Sequence, residues 1–319
     1  MIKKRLLSLD PREYEHPLDK EALNKLESIP GVKPLIKKIY KEFLEKFFYL
    51  NNYGSNVLIT KDNYPRVHNL LIEASRVLDM NSVPPLYITC LDMDGKYTLN
   101  GYTQGVDEPH ILLTKRSIDE FDEKELLALI GHELGHIKSG HVLYRQIAEL
   151  GNSLLDVISQ VTLGLGSIPA SAINLALMHW YRMSEFTADR AGLLASQDLD
   201  ACIRLELKLA GIPNDGNIES FKASFIKQAE SFKDFDLKGF NKVIRVVNTL
   251  YMSHPYAVLR ASQLMEWKES GDYQKILSRE NLDIVDVVSL NNGFCPNCGT
   301  KFEAGNMFCG GCGAKVDNS

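Results

Sequence analysis

Residues 132–136 read His-Glu-Leu-Gly-His. On an α-helix, positions i and i+4 share a face, so the imidazoles of His132 and His136 can reach one ion. Glu133 stands beside them and can take a proton from water activated at that ion. Zinc catalysis needs three protein ligands and one open position, and this stretch supplies two. The third has two known sources. In one pattern a Gly and a His follow at 139 and 142. Here those positions are Ser139 and Val142, and His141 falls one residue early, turned away from the His132/His136 face as a helix-surface or supporting histidine. In the other pattern a later helix contributes a Glu. Glu185, in Ser184-Glu185-Phe186-Thr187-Ala188-Asp189, fits that role. Asp189 could hold a ligand histidine by its second nitrogen, fixing its tautomer and basicity.

A second set of metal-seeking residues lies near the C-terminus. Cys295/Cys298 and Cys309/Cys312 form two C-x-x-C pairs, with Gly299 and Gly313 helping the tight turns. Four thiolates close a tetrahedral zinc site without an open position, which is structural chemistry. The module resembles a zinc ribbon, and so short a piece needs its metal to fold. Cys90 and Cys202 are isolated, so the six cysteines indicate metal binding in a reducing compartment, not a disulfide framework.

The elements that must position these groups follow from periodicity. Leu126, Leu127, Leu129, Ile130, Leu134 and Ile137 make the His132–His136 helix apolar nearly all round, so it is buried. Asp119, Glu120, Asp122 and Glu123 precede it and suit its positive N-terminal end. A helix over 180–196 carries Ala188, Ala191, Gly192 and Ala195 at i, i+3, i+4, i+7, a small-residue stripe that lets two helices approach closely. Further helices are expected over 19–28, 32–50, 67–78, 199–210, 220–231, 238–251 and 257–269. Residues 86–90 and 96–103 read as a β-hairpin about an Asp92–Gly95 turn, and 111–114 as a third strand. Residues 153–178 carry Asp156 as their only charge, but Gly164, Gly166 and Pro169 interrupt them. Each piece is too short to span a bilayer, so a helical hairpin is expected.

Several pieces together resemble the HtpX and CAAX-prenyl-protease type of zinc metallopeptidase, a gluzincin family. They are Leu99-Asn100-Gly101-Tyr102, Glu125 through His141, Arg182 through Asp189, and Ser253-His254-Pro255 followed by Arg260. The resemblance implies a catalytic zinc held by His132, His136 and Glu185, with Glu133 as general base. It implies that His254 stabilises the oxyanion or bound substrate, and that Arg182 and Arg260 are supporting charges near the site. Asn100 would lie on a substrate-binding edge strand, although Gly101 stands where the family usually has alanine. The family's membrane members carry transmembrane hairpins, and no clean span is evident here.

The chain has 319 residues and a net charge of −5, which disfavours nucleic acid as a main partner. The fold expected is α+β and mostly α: a zincin-like metallopeptidase with a small antiparallel sheet beside the active-site helix. Residues 1–60 form an N-terminal helical segment packed on it, 61–290 the peptidase domain and 293–319 the ribbon. The function expected is a zinc-dependent endopeptidase acting on proteins or peptides, with one catalytic and one structural zinc. The alternative is an inactive peptidase-like scaffold working through its ribbon, which could take a protein partner. No signal peptide is read, so the cytoplasm is expected, with 153–178 or the basic amphipathic 32–50 as segments that could touch a membrane surface.

Overall fold

A computed structural model describes residues 3–90, 97–149, 170–212, 218–236, 255–278 and 284–285. Its helices, in chain order, are α1 (Pro11–Tyr14), α2 (Pro17–Glu27), α3 (Val32–Ile39), α4 (Glu45–Ser55), α5 (Pro65–Val77), α6 (Lys115–Glu120), α7 (Glu123–Lys138), α8 (Val142–Glu149), α9 (Ala170–Ser196), α10 (Leu199–Leu209), α11 (Ile218–Asp236), α12 (Ala257–Glu269) and α13 (Asp272–Leu277). The strands are β1 (Lys3–Lys4), β2 (Val57–Leu58), β3 (Leu86–Thr89), β4 (Gly101–Gln104), β5 (His110–Thr114) and β6 (Ile284–Val285). The fold is α+β with helix dominant, as expected.

Helix α7 is the spine. The Asp122 side chain accepts hydrogen bonds from the backbone N–H groups of Lys124 and Glu125, both at 2.9 Å, and the Glu125 carboxylate accepts from Asp122 N. This reciprocal box fixes where the helix starts. Every residue from Glu125 to His136 is buried. Leu126, Leu127, Leu129, Ile130 and Leu134 join the main core with Leu70, Leu71, Ile111, Leu113 and Leu194. Burial of each such side chain contributes roughly 1.5–3 kcal/mol.

Against α7 lies α9, and the small-residue stripe is the contact. A Cβ added at Gly131 would overlap that of Ala195, and one at Gly135 would stand 2.5 Å from the Cβ of Ala191. From the other side, a Cβ at Gly192 would lie 2.7 Å from the Ala128 carbonyl. Here α9 starts at Ala170 and runs unbroken through Met178, so the second half of the expected hairpin is part of one long helix. Residues 153–169 lie outside those described. Among the described residues no helix is long and apolar enough to cross a membrane.

The four-stranded sheet has the order β2-β3-β5-β4. Strand β3 pairs parallel with β5, and β4 pairs antiparallel with β5. The sheet is therefore mixed, and 86–103 is not a hairpin. The reason is burial: all five residues of β5 are buried, the mark of a central strand that takes a neighbour on each side. Residues 91–96, where the expected turn falls, lie outside the described set.

The first 60 residues thread through this core. Leu6, Leu9 and Tyr14 enter it directly. Ala22 and Leu26 of α2 and Val32, Leu35, Ile36 and Ile39 of α3 pack with Tyr144, Ile147, Leu177 and Trp180. The apolar side of α3 is thus covered by protein, not left for a lipid surface. The expected helix 32–50 is interrupted by a π-helical turn at Tyr40–Leu44 and then continues to Ser55 as α4.

Candidate active site

Two turns of α7 and one of α9 bring three ligand atoms to a point. His132 Nε2 and His136 Nε2 lie 3.1 Å apart, and Glu185 oxygens stand 3.6 Å and 3.5 Å from them. All three side chains are buried. A tetrahedral zinc with bonds of about 2.0–2.1 Å has its ligand atoms roughly 3.3 Å apart, so this set could hold such an ion. Glu133 points into the same place. Its Oε2 accepts a 2.7 Å hydrogen bond from the Thr103 hydroxyl of β4. Burial raises the Glu133 pKa, although nearby His132 and Arg145 and the Thr103 bond pull the other way. A raised carboxyl pKa suits a group that must both take and return a proton.

The site opens on a cleft of about 490 Å³ lined by Asn100, His132, Glu133, Glu206, Tyr256 and Arg260, among others. Asn100 sits one residue before β4. Its backbone N–H donates to Ser117 Oγ at 2.7 Å, and its side-chain oxygen accepts from Gly101 N at 2.9 Å. Gly101 begins the strand, so glycine does not abolish it. A Cβ there would stand 2.9 Å from Leu113 Cδ2 and 3.3 Å from Glu133 Oε1. The missing methyl leaves room for the Glu133 carboxylate.

A match to peptidase family M48 covers residues 63–268. The chain belongs to peptidase family M48. It is 31% identical over 283 residues to the plastoglobule-localized metallopeptidase 48, chloroplastic, of Arabidopsis thaliana, a match covering 86% of this chain and 77% of that one. It is 34% identical over 128 residues to the protease HtpX homolog of Helicobacter acinonychis (strain Sheeba), covering 39% of each. The protease HtpX homolog of Helicobacter pylori (strain J99) gives the same identity and coverage. Membership of this family makes the chain a peptidase of the metallopeptidase kind, with proteins or peptides as substrates.

The groups around this M48 site explain its electrostatics. Asp189 Oδ1 lies 2.9 Å from His132 Nδ1. A carboxylate only accepts, so the proton sits on Nδ1 and Nε2 keeps its lone pair for a metal. Burial disfavours the His132 cation, but Asp189 and Glu185 outweigh it and raise its pKa. Asp189 is gripped in turn by Arg260, whose Nε donates to Oδ2 at 2.9 Å while Nη2 meets Oδ1. Burial alone would lift the Asp189 carboxyl; Arg260 and His132 hold it below its ordinary value. His136 has no such anion at its Nδ1, and burial and Arg145 drive its pKa well down.

Two neighbours are not evident from sequence. Arg145 of α8 bonds Glu185 and donates to Tyr181 Oη at 3.1 Å. Glu206 of α10 stands 3.1 Å from Arg260, and burial pushes its pKa up to about 8. Nothing in sequence separates them from the other charged residues of their helices, VLYRQIAE and LDACIRLELKL. Arg182 is buried, and desolvation lowers its pKa to about 10; the guanidiniums that meet Glu185 and Asp189 are those of Arg145 and Arg260. Of the two expectations for His141, the supporting histidine holds and the helix-surface one does not. It is buried, with Nδ1 3.0 Å from His136 Nδ1, facing the site and not the surface. The reason is that α7 stops at Lys138. Gly140 takes a left-handed φ of +71°, and His141 N bonds back to His136 O at 3.0 Å. This Schellman-type reversal turns the next side chain under the helix it has just left. His254, Cys295, Cys298, Cys309 and Cys312 lie outside the described residues; Pro255 and Tyr256, which follow His254, line the cleft.

Proposed function

We propose that this chain is a zinc-dependent endopeptidase in which His132, His136 and Glu185 hold the catalytic zinc and Glu133 is the general base. The observation that carries this is the spacing of the three buried ligand atoms, 3.1–3.6 Å, with the Glu133 carboxylate opening on the same cleft. Zinc bound there would supply a Lewis acid that activates water and polarises the scissile carbonyl. Thr103 orients Glu133 through its hydroxyl. Glu133 removes a proton from the attacking water and returns it to the leaving amine. Asp189 and Arg260 keep His132 in the ligating tautomer. His254, immediately before the cleft-lining Pro255, is suited to donate to the developing oxyanion. Asn100, at the mouth of the edge strand, would meet an extended peptide through main-chain hydrogen bonds. Arg182 would support the site as a buried charge.

The same reading gives the C-terminal cysteines a separate structural zinc and makes their ribbon a contact for a protein partner or substrate. The cytoplasm remains the proposed compartment, with any membrane contact peripheral and through 153–178. Metal analysis of purified protein together with cleavage of an unstructured peptide, before and after chelation, tests the proposal. Two zinc ions per chain and chelator-sensitive internal cleavage are expected. Internal cleavage that survives complete metal removal would overturn it.

A further inference from the structure

The two metal-facing histidines are braced from separate segments of the chain. His132 has Asp189 on its Nδ1, from within the family-matched region. His136 has His141 on its Nδ1, and His141 passes the contact on: its Nε2 lies 3.2 Å from Asp19 Oδ2. Asp19 belongs to α2, ahead of residue 63 where the family match begins. It is 1% exposed. The Thr187 hydroxyl, on α9 between Glu185 and Asp189, donates to the same oxygen at 2.6 Å and accepts from His16 N at 3.0 Å.

Proton accounting gives the direction of this chain. The Asp19 carboxylate only accepts, so His141 carries a hydrogen on Nε2. A ligand His136 needs Nε2 bare, so it carries its hydrogen on Nδ1 and donates it to the lone pair of His141 Nδ1, 3.0 Å away. That bond leaves His136 Nε2 unprotonated, facing His132 and Glu185. Reversing any one bond would put a hydrogen where a metal should be.

We propose that Asp19 is a positioning residue for the metal site: acting through His141, it fixes the tautomer and ring orientation of His136. This rests on His136 being a metal ligand, as read above. The N-terminal segment then completes the site instead of merely packing beside it. Carboxylates that hold a ligand histidine typically change metal affinity 10–100-fold when removed.

The test uses the full chain and reads zinc affinity by chelator competition, with the visible absorption of the cobalt-substituted protein as a signature of ligand geometry. Thiolate charge-transfer bands report the cysteine module separately. Asp19→Asn and His141→Phe are each expected to weaken zinc at the histidine site about 10–100-fold and to shift its cobalt bands. The double variant should be no worse than the weaker single one, because both residues act through one bond. Leu26→Ala, which loosens α2 without touching the chain of bonds, should lower the Tm yet leave affinity within about twofold. Wild-type affinity and cobalt bands in Asp19→Asn, with binding lost in His136→Ala, would overturn the proposal alone. Undiminished binding in His136→Ala would remove the reading beneath it as well. Should Asp19→Asn not fold, His141→Phe interrogates the same link, and wild-type binding there is equally fatal.

Discussion

Helix α7 shows two faces with opposite demands. Toward α9 it presents Gly131 and Gly135, and the contact leaves no space for even one more carbon. Toward the cleft it presents His132 and Glu133, which border about 490 Å³ of open volume, with His136 Nε2 buried 3.1 Å from His132 Nε2. The first face is specified by what is absent and the second by functional groups. The comparison teaches that the seam sets the distance between α7 and α9, and therefore whether Glu185 reaches the two imidazoles at all. Chemistry on one face is bought with shape on the other.

Substitutions should separate the two faces cleanly. On the cleft side, Glu133→Gln removes the proposed base and nothing else. Peptide hydrolysis should fall by about 10³-fold, with zinc retained and the thermal midpoint nearly unchanged. A parallel loss of zinc or fold would mean the faces are not separable. On the seam, Gly135→Val forces branched carbons against Ala191. It should cost about 3 kcal/mol in denaturant unfolding, with metal binding lost only as the fold is lost.

A pH titration probes the far side of α9. His16 caps α2, accepting from Leu18 N and lying 2.8 Å from Gln263 Oε1. Burial, aided by Arg190, lowers its pKa from 6.5 to about 4. A histidine with a depressed folded-state pKa stabilises fully above its unfolded value and loses that contribution as protons are forced on. Stability should therefore decline between about pH 6.5 and 4, by roughly 3 kcal/mol at most from this group. His16→Gln should flatten the decline; an identical pH profile in that variant would acquit His16. The smallest effect is expected for Thr103→Val, which leaves Glu133 in place but frees its carboxylate. Activity should drop about tenfold with little change in stability.

How much of this was readable beforehand divides along the same line. The motif on α7, Glu185 with Asp189, and the small-residue stripe of α9 are local spacings, and geometry on a helix follows from spacing. Gly131 and Gly135 carry the matching signal beside and within the motif, four residues apart on the face that meets the stripe. The direction from which His141 supports His136 is not legible in sequence, because a helical wheel assumes the helix continues, whereas Gly140 ends it. The parallel pairing of β3 with β5 could not be seen, since strand alternation tells which face is buried and not which neighbour is chosen. Arg145, Thr103, Glu206 and Asp19 were equally hidden. Each is an ordinary polar residue whose partner comes from a distant segment, at separations of 30 to 122 positions. The assignments for His254 and the four clustered cysteines rest on sequence alone.

The threading of the first 60 residues through the core has a practical corollary. An expression clone trimmed to the span 63–268 would discard Leu6, Leu9 and Tyr14 from the interior and the carboxylate that His141 leans on. Inhibitor screening or crystallography on such a truncated piece would study a molecule with a hole in its foundation, so the N-terminal helices belong in any working sample.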